Sequence, residues 1–135
     1  MDMVTLGRTG ITVNKNGFGA LPIQRVSREE AARHAVQLAA EYGGADSIRY
    51  ALWEGGEITL HAGITFFDTA RFYTDSEEKI GYALSDRRDA FYLATKTAAT
   101  TAEGFWSDLE TSLRNLKTDY IDIYQFHNPA FCPKP

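Results

Sequence analysis

Cysteine is nearly absent: the 135 residues hold a single one, Cys132. A lone thiol cannot close an internal disulfide, and this usage fits a reducing, cytoplasmic setting. Histidine is scarce too. His34, His61 and His127 match no ligand spacing such as H-x-x-x-H, so no metal site is expected. No apolar run approaches the ~18–20 residues that cross a bilayer, and the first residues lack both the basic and the long apolar part of a signal peptide. Neither a membrane segment nor a leader is therefore read. There is no excess of basic residues: 14 Lys and Arg face 18 Asp and Glu, a net charge of −4. That balance argues against nucleic acid as the main partner. Repeats, charge blocks and low-complexity tracts are missing as well. With 44% hydrophobic and 24% charged residues, wholesale disorder is excluded. The length bounds the chain to one domain over residues 1–135.

What is present is regular punctuation by glycine and proline. Residues 4–13 read as a β-hairpin turning through Gly7 to Gly10. The apolar, glycine-spaced run from Asn16 to Pro22 suits a short strand that meets a ligand-facing loop. Ser27 and Glu30 form a capping box, and the amphipathic run behind them predicts a helix over 28–42, stopped by Gly43-Gly44. A second short helix is predicted over 46–57, making residues 27–60 an unusually long helical connection. Ile64–Asp68 is β-branched and aromatic, hence a strand. Ser76–Leu84 carries Ile80, Ala83 and Leu84 on helical spacing, with Glu77 and Glu78 in the first turn, where the helix dipole favours anions. Ala90–Lys96 is a further strand. Thr100 and Glu103 repeat the capping-box spacing ahead of a helix faced by Phe105, Leu109, Leu113 and Leu116. Tyr120–His127 is the last strand, ended by Pro129.

A hairpin followed by strands alternating with helices implies α/β architecture, with parallel strands joined by right-handed crossovers. Four such strands fit a small open sheet. They equally fit half of a TIM-type (β/α)8 barrel, whose full form takes about 250 residues.

In either arrangement the functional site lies at the C-terminal ends of the strands. Asp68, Lys96 and His127 end successive strands, and Tyr73 follows Asp68 by five residues. Together these types form a coherent acid–base group. A phenol is a poor acid near neutrality, and an adjacent ammonium favours its phenolate. A carboxylate keeps the ammonium charged and aimed. A neutral imidazole can donate a hydrogen bond to a carbonyl oxygen. Such a group can polarise a C=O and protonate the alkoxide that forms. None of its members supplies hydride, so a redox reaction needs a nicotinamide-type cofactor. A phosphate-binding open sheet finds little support, because Gly17-x-Gly19 is not followed by the remainder of a phosphate loop.

The run FFDTARFYTDSEEKIG at 66–81 resembles the signature of the aldo-keto reductases, D-x-A-x-x-Y-x-x-S-E followed by I-G. LATKT at 93–97 and DYIDIYQFHNP at 119–129 are similar to that family's lysine and histidine strands, and LGRTGITVNKNGFGALPI at 6–23 to its hairpin and first strand. Within the family the chain looks closest to bacterial members of the kind that can carry a C-terminal iron–sulfur segment, although no C-x-x-C pattern occurs here. The resemblance implies half of a (β/α)8 barrel and NADPH- or NADH-dependent reduction of aldehydes and ketones. Tyr73 would be the general acid, Lys96 would acidify it, Asp68 would pair with Lys96, and His127 would orient the carbonyl. Gly19, Ala20 and Leu21, with Asp68, would lie at the cofactor, and Asn128 would border the substrate pocket.

The resemblance also implies that much of the cofactor grip belongs to the second half of such a barrel. A truncated reductase is therefore the first expectation. The alternative is a non-catalytic fragment, or a binding or assembly module, that retains the four groups by descent. Half a barrel would expose strand edges and an apolar inner face, so beside a small carbonyl substrate the expectation is either self-association, pairing halves into a full ring, or marginal stability.

Overall fold

A computed structural model of the chain describes residues 2–15, 17–25, 27, 53–54, 57–58 and 65–129. Strands β1 (Met3–Thr5) and β2 (Thr12–Asn14) pair antiparallel, with Val4 opposite Val13. The turn between them needs left-handed backbone at two points, and glycine stands at both: Gly7 at φ +55° and Gly10 at φ +75°. The expected hairpin over 4–13 is therefore present, longer by one residue at each end.

The main sheet contains β3 (Phe18–Gly19), β6 (Phe66–Asp68), β7 (Tyr92–Thr97) and β8 (Ile123–Phe126), side by side in that order and all parallel. Strands adjacent in sequence are adjacent in space, as in a TIM-type barrel. Helix α1 (Ser76–Leu84) connects β6 to β7, and α2 (Ala102–Leu116) connects β7 to β8.

Side-chain alternation gives the sheet two unlike faces. Phe18, Phe67 and Leu93 lie in one row and face the helices, where Ile80, Ala83, Leu84, Phe91 and Leu116 complete the core. The opposite face carries Gly19, Asp68, Ala94 and Ile123 in one row, with Lys96 and Gln125 in the next. This is the inner, concave side in barrel terms, and Asp68 and Lys96 stand on it. Among the described residues no helix is long and apolar enough to cross a membrane.

Helix α1 occupies its predicted range. Helix α2 begins one residue later than its capping box suggests. Thr101, not Thr100, is the cap, and its hydroxyl accepts the Gly104 N–H at 3.1 Å. Lys117 in left-handed conformation ends that helix. The expected strand before Pro22 shortens to Phe18–Gly19, followed by a turn of 3-10 helix at Leu21–Ile23.

The larger difference concerns residues 46–57. In place of helix, β4 (Trp53–Glu54) and β5 (Glu57–Ile58) form a two-stranded antiparallel ribbon with Glu54 opposite Glu57. Two glycines between two short runs favour a tight hairpin over a helix end. The rest of the 27–60 connection, including the predicted helix over 28–42, lies outside the described residues, as does Cys132.

Candidate active site

Each of the four acid–base candidates is delivered by a different backbone device. Asp68 is the last residue of β6. Lys96 is the penultimate residue of β7 rather than its end; the strand continues to Thr97. Because Thr95 and Thr97 point to the helices, Lys96 between them must point inward. His127 follows β8 directly, and its N–H bonds the Thr97 carbonyl at 2.7 Å, extending the ladder by one residue. Tyr73 sits in the loop between β6 and α1. That loop is closed by Tyr73 N–H to Ala70 O at 3.0 Å and Ser76 N–H to Tyr73 O at 2.8 Å.

The four side chains meet. The Lys96 ammonium donates to Asp68 Oδ1 at 2.5 Å and to the Thr69 carbonyl at 2.8 Å. Two of its three N–H bonds are thereby committed, which fixes the charge in place. Its Nζ lies 5.4 Å from the centre of the Tyr73 ring. The His127 ring stands edge-to-face on the same tyrosine, centroids 5.5 Å apart, and also approaches Phe72 at 6.1 Å. His127 Nδ1 is buried and has no hydrogen-bond partner among the described residues.

The remaining predicted positions flank this group. Gly19 lies directly beside Asp68 in the sheet, and nothing comes within 4 Å of where a Cβ would stand. The Ala20 N–H donates to the Asp68 carbonyl at 2.8 Å, Ala20 itself is buried, and Leu21 next to it is exposed. Asn128 is exposed beside His127 and takes a left-handed conformation at φ +47°. Among the described residues Gly19 thus leaves open space beside the acid–base group.

Sequence reading missed the layer behind these groups. Glu77, taken as a first-turn anion, is buried and accepts hydrogen bonds from Arg71, Thr95, Ser112 and Asn115. The available signal was its position: three, four and seven residues before Ile80, Gly81 and Leu84, Glu77 falls on the apolar stripe. Arg88 was missed in the same way. It is buried against the Tyr120 ring at 3.8 Å and bonded to Asp122 at 2.5 Å, and this pair sits away from the four groups, where the sheet meets the 3-10 turn over Ser85–Ala90.

Known proteins are similar to this chain in sequence and in fold. Aldo-keto reductase YhdN of Bacillus subtilis is 32% identical over 143 aligned positions, covering 96% of this chain and 38% of YhdN. The holo form of an aldo-keto reductase from Bacillus halodurans superposes with a TM-score of 0.65 at 28% identity, over 94% of this chain and 40% of that one. An aldo/keto reductase from Klebsiella pneumoniae, solved with NADP and acetate, gives a TM-score of 0.59 at 26% identity, over 86% and 36%. The chain thus spans about two-fifths of the length of these relatives. The profile of the Aldo/keto reductase family matches residues 57–132, the stretch containing Asp68, Tyr73, Lys96 and His127. With more than half of its length matched and the parallel βα units in sequential order, this chain belongs to the aldo/keto reductase family.

Proposed function

We propose that the chain carries the acid–base half of an NAD(P)H-dependent carbonyl reductase acting on aldehydes or ketones. One observation carries the reading: the Lys96 ammonium, held by Asp68 and the Thr69 carbonyl, and the His127 ring approach the same Tyr73 ring from two directions. In this reading His127 donates a hydrogen bond to the substrate oxygen and fixes its direction. Tyr73 gives its phenolic proton to that oxygen as negative charge develops, and the Lys96 ammonium stabilises the phenolate left behind. Asp68 keeps the ammonium from swinging toward solvent. Gly19, Ala20 and Leu21, with Asp68, would border the nicotinamide, which supplies the hydride when bound. Asn128 and the exposed Phe72 would border the substrate. The NADP-bound Klebsiella neighbour supports a nicotinamide cofactor; NADPH is the first choice and NADH the second.

A second reading, in which the chain keeps the four groups without turnover, draws on the long connection over residues 27–60, whose length leaves room for an interaction surface. Fluorescence titration with NADPH, followed by reduction of a reactive aldehyde, separates the two. The reductase reading expects saturable binding and turnover that Tyr73→Phe lowers by about 10²–10⁴-fold while binding persists. Undiminished turnover in Tyr73→Phe would remove Tyr73 from its role, and absence of NADPH binding would favour the second reading.

A further inference from the structure

We infer that Glu77 is a positioning residue for Tyr73: from behind β7 its buried carboxylate fixes the loop that carries the tyrosine relative to the strand that carries Lys96. The inference rests on the reading of Tyr73 as proton donor.

Glu77 is 1% exposed. Its Oε1 accepts the hydroxyls of Thr95 at 2.8 Å and Ser112 at 2.6 Å, and its Oε2 accepts Arg71 Nη1 at 2.9 Å and Asn115 Nδ2 at 3.3 Å. These donors come from three segments: the loop after β6, strand β7 and helix α2. Burying a carboxylate costs more than burying a hydrocarbon of similar size, so such a group is a weak choice for stability alone. What it adds is direction, since hydrogen bonds to a charged acceptor hold their partners in one geometry.

That geometry bears on the acid–base group. Thr95 immediately precedes Lys96, and the two point to opposite faces of β7. Glu77 therefore grips the back of the strand while Asp68 grips Lys96 at the front. Arg71 is two residues before Tyr73 and is fastened at both ends, its guanidinium to Glu77 and its own N–H to the Lys96 carbonyl at 2.9 Å. The ends of the loop are held separately, Thr69 by its N–H to the Ala94 carbonyl at 2.8 Å and Asp75 by the Arg25 N–H at 2.8 Å, and the Thr69 and Ser76 hydroxyls bond each other at 2.5 Å. Of these anchors Arg71 is the one that Glu77 controls, and it stands two residues from Tyr73.

Two variants test this. Glu77→Gln keeps the size and removes the charge. Arg71→Met removes the half-buried partner and serves if the first variant folds poorly. Amide hydrogen exchange should quicken at residues 69–73 in both, while the amides of α2 keep their protection. Turnover of the aldehyde should fall by up to about 10²-fold, the loss that a misplacement of about 1 Å brings, with KM unchanged. Loop amides that stay protected, or a loop and α2 that loosen together, would overturn the inference. Absence of turnover in the unaltered chain would instead remove the proton-donor reading on which it rests, and the exchange measurement would still decide the tether.

Discussion

Asp75 precedes helix α1, yet its side chain does not cap that helix. Its Oδ1 accepts the backbone N–H of Arg25 at 2.8 Å and its Oδ2 accepts the Lys79 ammonium at 2.9 Å; the same ammonium also donates to the Ile23 carbonyl at 2.7 Å. One carboxylate thereby ties the segment after β3, where Ala20 and Leu21 flank Asp68, to the base of the Tyr73 loop. Arg25 sits in the left-handed region at φ +60°, and the bond to Asp75 offsets part of that strain. Burial by itself would raise the Asp75 carboxyl, but the Arg25 amide and the Lys79 ammonium outweigh it and hold it below the ordinary value of 3.8. The folded state therefore binds the proton less readily than the unfolded chain. The contribution to stability is complete above the ordinary carboxylate value and is lost as pH falls through the lower folded value. Urea unfolding of the unaltered chain and of Asp75→Asn should show the former more stable at neutral pH, with the gap closing on acidification. The gap should be small, because the side chain is 41% exposed and screened by water. A gap of constant size across pH would remove Asp75 from this role.

Helices α1 and α2 pack closely enough that one position admits glycine alone. A Cβ on Gly81 would stand 2.2 Å from the Asn115 carbonyl oxygen and 2.7 Å from the Leu116 carbonyl carbon, both backbone atoms that cannot turn aside. Alanine usually gains about 1 kcal/mol over glycine within a helix. Here Gly81→Ala should instead lose about 1–3 kcal/mol or more, because the helices must separate. Thermal unfolding reads the sign, and a stabilised variant would contradict the close crossing. Thr101→Ala should cost about 1 kcal/mol through loss of the α2 cap, and the same assay measures it. These elements also explain what the sequence makes legible. Helix α1 and strands β6 to β8 follow from apolar spacing, because one face of each meets the core. Asp68, Tyr73, Lys96 and His127 could be named because strand ends are where such residues are exposed to a site. Residues 53–58 misled because apolar residues ahead of two glycines serve a helix end and a tight hairpin alike. Glu77 and Arg88 were missed for a related reason. A charge on a buried stripe shows its partners only after folding, and Ser112 and Asn115 are 35 and 38 residues away from Glu77.

The sheet as a whole is a curved ribbon with two edges. Among the described residues β3 pairs only with β6, and β8 only with β7. Its inner face carries Phe66, Tyr92 and Ile123, all partly exposed. In a closed barrel both the edges and this face are covered. Open strand edges beside apolar surface recruit further strands, and the geometry favours one such recruit, a second copy that sets its β3 beside β8 and brings the strand count to that of a full ring. Light scattering on the eluting 135-residue chain should give a mass above the 15.1 kDa of one copy, rising with concentration. Ile123→Lys places a charge on the inner face of the edge strand, directly beside Ala94. It should return the mass to that of a single copy while the circular dichroism is retained, since a lysine there faces water in one copy and an apolar wall in two. A single-copy mass at every concentration would mean that the edges are protected, and association through them would then have no support.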